Sequence, residues 1–132
     1  MPLQFWLSKI SSGATYMDAL HQDAVKVLLH LSTAVDREFH EGYNLLLRKV
    51  ERVFRAEEQW MEEISFPELP HHREQHAQLL RTLYHGQSHI NKGDTQFGRN
   101  IVEKLLPEWL ILHGSTMDSA LSRQLRITTL AI

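Results

Sequence analysis

Cysteine is absent from this 132-residue chain, which excludes disulfides, thiolate chemistry and Cys-based zinc or iron–sulfur sites. Proline and glycine are scarce, at four and six, so helix-breaking signals fall at only a few places. No apolar stretch approaches the roughly 20 residues needed to span a bilayer. The opening MPLQFWLSKISSG lacks a signal peptide's long apolar region and cleavage site. Lys and Arg form no basic run and the net charge is −2 with histidine neutral, which disfavours nucleic-acid binding. The expectation is one domain over residues 1–132, with no membrane or nucleic-acid partner and a cytoplasmic location by default. What is present is ordinary for a globular protein: 42% hydrophobic and 23% charged residues, enough for one continuous core.

Helical periodicity fills the segments between the breakers. Residues 1–17 read as an irregular arm. Asp18 then caps a first helix to about Glu38, with Leu20, Ala24, Val27, Leu28, Leu31 and Val35 recurring at spacings of three and four. Gly42 marks a turn, and a second helix covers about 42–64. Pro67 and Pro70 break the pattern before a third helix from about Pro67 to Gln87. His89 to Gly98 reads as the last connection. A fourth helix follows from Thr95 or Phe97 to residue 120, with a kink or local break at Pro107 and a tail over 121–132. No β-hairpin signal occurs. The fold class is therefore all-α: an up-down-up-down antiparallel four-helix bundle over 18–120 behind an N-terminal arm.

With no thiolate, imidazoles and carboxylates are the side chains left to hold a transition metal, and nitrogen and oxygen donors suit iron, manganese or zinc. His72 and His76 are four apart, so a helix presents both on one face. His113 and Asp118 are five apart, about 140° around an ideal helix, a poorer geometry in which each could reach the metal from a flank of an inward stripe. His113 in the run WLILH is equally the pattern of a buried histidine bonded to a backbone carbonyl. Glu57 is costly if it faces the core unpaired, and Glu57 with Glu58 is equally the pattern of a solvated face. His21 alone reads as a surface histidine. Jointly, every expected helix contributes a candidate, and facing helices are where bundles build carboxylate- and histidine-bound metal sites.

These residues resemble the hemerythrin family over nearly the whole chain. Met17-Asp18-Ala19-Leu20-His21 is similar to the family's I-D-x-Q-H, and Phe54-Arg55-Ala56-Glu57-Glu58-Gln59-Trp60-Met61 to its H-F-x-x-E-E-x-x-M without the histidine. The stretch from Phe66-Pro67 to His72 and His76 resembles Y-P-x-L-x-x-H-x-x-x-H, and this interval selects His72 over His71. Trp109-Leu110-Ile111-Leu112-His113 with Asp118 resembles W-L-x-x-H-x-x-x-x-D. The resemblance implies two non-haem iron ions, oxo- or hydroxo-bridged and carboxylate-bridged, that bind dioxygen or a related diatomic such as nitric oxide. It implies that His72, His76 and His113 hold one iron, that Glu57 and Asp118 bridge, and that His21 holds the second. The further histidine of the second iron is replaced by Val53, so that ion is expected to be weakly held or absent. An oxygen-binding protein is the leading expectation. The alternatives are a regulatory or sensor module, for which the tail RITTLAI is either a docking surface or a truncation point, and an iron-dependent oxidase or peroxidase-like enzyme using the extra open position. A single-metal or zinc site with no redox role is the plainest alternative.

Overall fold

The structure, a computed structural model, describes residues 15–113 and 123, with side chains from residue 19 onward. Asp118 and nearly all of the expected tail lie outside the described residues, as does the arm up to residue 14. The elements are α1 (Thr15–Leu31), α2 (Asp36–Glu63), α3 (Leu69–Asn91), α4 (Thr95–Asn100), a π-helical turn (Ile101–Leu105) and α5 (Leu106–His113). The last three run on continuously as one compound helix, because Ile101 and Leu106 keep right-handed helical dihedrals. The protein is thus an all-α four-helix bundle, and no strand occurs among the described residues. No helix among them is long and apolar enough to cross a membrane.

The first helix and the turn after it correct the sequence reading in four places. α1 is already helical at Thr15, so Asp18 lies within it rather than at its cap. It stops at Leu31, because the hydroxyls of Ser32 and Thr33 donate back to the carbonyls of Leu29 and His30, an alternative to continuing the helix. Val35 precedes α2 and is 63% exposed rather than part of an inner face. Gly42, read as a turn, sits inside α2. A Cβ there would lie 2.3 Å from Leu31 Cδ2, so the glycine permits α1 and α2 to approach closely. Arg99 of α4 fastens this turn, donating to the Ala34 carbonyl and the Asp36 carboxylate at 2.7 Å each while lying 4.5 Å over the Phe39 ring.

Later boundaries follow simple chemistry. Pro70 occupies the first turn of α3, where a missing N–H costs nothing. α3 runs past the expected Gln87 to Asn91, and Asp94 caps α4 by accepting from the Phe97 N–H. The break expected at Pro107 takes the form of the π turn just before it, closed by a bond from the Leu106 N–H to the Ile101 carbonyl.

α1 packs on α2, α2 on α3, and α4 on both α2 and α3. One large apolar cluster fills most of the interior, from Phe39, Ile90 and Ile101 to Val53, Phe54 and Leu106. A smaller cluster around Met61, with Trp60, Ile64, Phe66 and Leu69, closes the other end of α2. Glu57 lies on α2 between Phe54 and Met61, so the polar residues sit between two apolar bodies.

Candidate metal centre

Five of the six residues proposed from the sequence fall within the described range, and all five are buried: His21, Glu57, His72, His76 and His113. Of the adjacent pair on α3, His72 is buried and His71 exposed. The sixth, Asp118, lies beyond the described residues.

Glu57 is the hub. Its Oε1 is 2.9 Å from His21 Nε2, while Oε2 is 3.1 Å from His72 Nε2, 2.9 Å from His76 Nε2 and 3.7 Å from His113 Nε2. One ligand atom each from Glu57, His72, His76 and His113 falls within 4.8 Å of all the others. Burial pushes the Glu57 carboxyl up, but hydrogen bonds from His113, His21, His72 and His76 outweigh it and hold the group well below the usual carboxylate range.

Three helices deliver this set. On α3 the i, i+4 spacing stacks His72 above His76, with ring centroids 4.4 Å apart. On the compound helix the π turn sets the phase. Gly98 faces inward, and an unbroken α-helix would repeat that face seven residues on, at Leu105 and Leu112. Those residues are instead 42% and 67% exposed, while Leu106 and His113 are buried. The extra residue of the π turn has advanced the inward face by one position, and that brings His113 to Glu57.

Flat apolar rings fix the imidazole planes. Phe54 stacks on His76 at 3.7 Å and Trp109 on His113 at 4.3 Å. The outer nitrogens are fixed too: His76 Nδ1 lies 2.9 Å from Glu58 Oε2, and His113 Nδ1 lies 3.2 Å from Gln75 Oε1. In the chain alone, protons on Nε2 bond Glu57; with a metal bound, a proton on each Nδ1 would leave the Nε2 lone pairs for it, and these two Nε2 atoms are 3.2 Å apart. Two lone pairs at that separation repel unless a proton or a cation lies between them. A buried carboxylate with three convergent imidazoles is a donor set that fits a divalent or trivalent metal.

His21 stands apart from the four-donor group, on the opposite oxygen of Glu57. On its side a small cavity of about 20 Å³ lies among His21, Glu57, His113 and apolar walls that include Val25, Val50, Val53 and Trp109. That exceeds the 10–15 Å³ or so one water-sized molecule needs. Val53 is a wall of this cavity, where it offers no donor atom.

Sequence reasoning missed Glu58 and Gln75. Each adjoins a candidate in the chain, Glu58 following Glu57 and Gln75 preceding His76. Their contacts with the centre run between helices: Glu58 crosses from α2 to α3, and Gln75 from α3 to α5.

No family model and no solved structure matches the chain. Over 118 residues it is 30% identical to a curated bacteriohemerythrin of Ralstonia nicotianae, an alignment that covers 89% of this chain and 85% of that protein. At that identity and coverage the relationship is one of family, and the chain belongs to the hemerythrin family.

Proposed function

We propose that the chain is a non-haem iron protein that binds dioxygen or a related diatomic such as nitric oxide. The observation carrying this reading is the buried four-donor group on Glu57, bordered by an apolar cavity of diatomic size. In the proposal His72, His76, His113 and Glu57 would hold one iron, with Asp118 as a second carboxylate. His21, with Glu57 and Asp118, would hold a second, more weakly. Iron in nitrogen and carboxylate ligation supplies a redox-active centre with positions left for a small ligand.

The remaining tasks fall to the chain itself. Glu57 divides its two oxygens between His21 and the other imidazoles. Phe54 and Trp109 hold the rings of His76 and His113 in plane, and Val25, Val50 and Val53 keep the ligand's side of the centre apolar. Such walls favour a neutral diatomic over water or an anion.

The test is the metal content and absorbance spectrum of the purified chain after iron loading, before and after exposure to air or nitric oxide. Oxo-bridged ferric bands and close to two irons per chain support the reading. A spectrum without them, with no response to either gas, removes it. A second reading, one retained metal, is favoured by the separation of His21 from the four-donor group. It predicts a single iron that survives His21→Ala.

A further inference from the structure

The outer nitrogens of His76 and His113 meet partners of different charge. His113 Nδ1 meets a neutral amide oxygen, that of Gln75, whereas His76 Nδ1 meets the carboxylate of Glu58. Glu58 is partly buried, and its second oxygen accepts from Arg73 Nε at 3.1 Å. Arg73 also donates to Glu62 through Nη2 and is 46% exposed. A continuous line of ionic contacts therefore runs from the surface, Arg73 to Glu58 to His76, and ends at an Nε2 atom inside the four-donor group.

A carboxylate accepting from Nδ1–H draws that proton outward, fixes the tautomer and makes Nε2 a stronger electron donor. A charged acceptor does this about twice as strongly as a neutral one. Arg73 opposes the effect by holding part of the Glu58 charge. We propose that Glu58 is a positioning residue that sets the His76 tautomer and, through its charge, strengthens the metal bond at that imidazole, with Arg73 as the surface counter-charge that moderates it. The inference rests on the metal-binding reading above. It extends that reading by placing control of the centre's affinity and potential in an ion pair on the outside of the bundle.

The experiment uses the whole chain, with zinc(II) affinity measured against a chromophoric chelator and the midpoint potential measured after iron loading. Glu58→Ala should lower zinc affinity about 10- to 100-fold. Glu58→Gln is nearly isosteric and keeps an oxygen for Nδ1–H, so it should lose less affinity. It should still raise the potential, because a negative charge beside the oxidised metal is gone. Arg73→Gln should move the potential the other way, by an amount that shrinks in high salt because Arg73 is half exposed. Thermal melts establish that each variant folds, and Glu58→Gln carries the test if Glu58→Ala does not. Zinc affinity within twofold of the parent in Glu58→Ala overturns the proposal. So does a potential that Glu58→Gln leaves unmoved, or one that Glu58→Gln and Arg73→Gln shift in the same direction. A parent that takes up neither zinc nor iron overturns the proposed function as well. A parent that binds metal with no dependence on Glu58 overturns this inference alone.

Discussion

Val53 and Glu57 lie one helical turn apart on α2, both buried, yet they present opposite chemistry to the same cavity. Replacing Val53 with histidine would add an imidazole on the His21 side of Glu57. Iron per chain, measured by elemental analysis after gel filtration, should then rise above the parent's value, towards a full two. Because the cavity is small, the larger side chain should also cost roughly 1–3 kcal/mol of stability in the metal-free protein. Unchanged iron content would show that Val53 does not limit the second ion. Glu57 itself gives a pH signature. Its folded pKa lies below the unfolded one, so its contribution to stability is fully present above the unfolded value and is lost as pH falls through the folded one. Denaturant midpoints of the metal-free protein should therefore fall less steeply with acid in Glu57→Gln than in the parent. Equal acid slopes would mean that the histidines around Glu57 do not hold its charge. At this scale the sequence revealed residue types and spacing, and the resemblance to the family's motif separated His72 from His71. It did not reveal Glu58 and Gln75, because their partners lie across helix interfaces that one-dimensional spacing does not encode.

At the scale of elements, the helices were legible from apolar recurrence, while their ends were less so. The α1–α2 turn was misplaced at Gly42 because glycine also marks close helix contact. The real stop came from Ser32 and Thr33, whose hydroxyls bond backwards. Pro107 signalled a disturbance in the last helix, but not that an extra residue would be absorbed before it. If the π turn exists to put His113 in phase, its surplus residue is dispensable. Deleting the exposed Glu103 should close the π turn into ordinary α-helix and leave Leu106, Trp109 and His113 facing inward. Zinc affinity should stay within a few-fold of the parent. A single alanine inserted after Glu108 should instead rotate His113 by about 100° and abolish tight binding. Loss of binding in the deletion, or its retention in the insertion, would disprove the phase argument. Circular dichroism on both variants would separate a rotated helix from an unfolded one.

Across the whole molecule, the polar centre interrupts what would otherwise be a continuous apolar interior. Glu57, His72 and His76 are almost completely buried between the main cluster and the Met61 cluster. Burying ionisable groups in this way is costly unless they are paired. Hydrogen bonds to Glu57 offset part of that cost in the chain alone, and a cation shared by the same donors would offset more. The donors also come from α2, α3 and α5, with His21 from α1, so a bound metal ties together elements far apart in sequence. Metal binding should therefore register as stability of the entire bundle rather than of one segment. At free metal 100-fold above the dissociation constant the linkage is worth about 2.7 kcal/mol, or roughly 10 °C in Tm for a chain of this length. A chelator should lower the melting temperature by about that amount in one cooperative transition followed by far-ultraviolet circular dichroism. In His76→Ala, which removes a donor to the four-membered group, the difference between loaded and chelated protein should largely vanish. In His21→Ala most of it should persist, because the four-donor group is intact. Were His21→Ala to lose the whole shift, the two sides of Glu57 would be of equal weight, and the asymmetric centre drawn from the donor positions would be wrong.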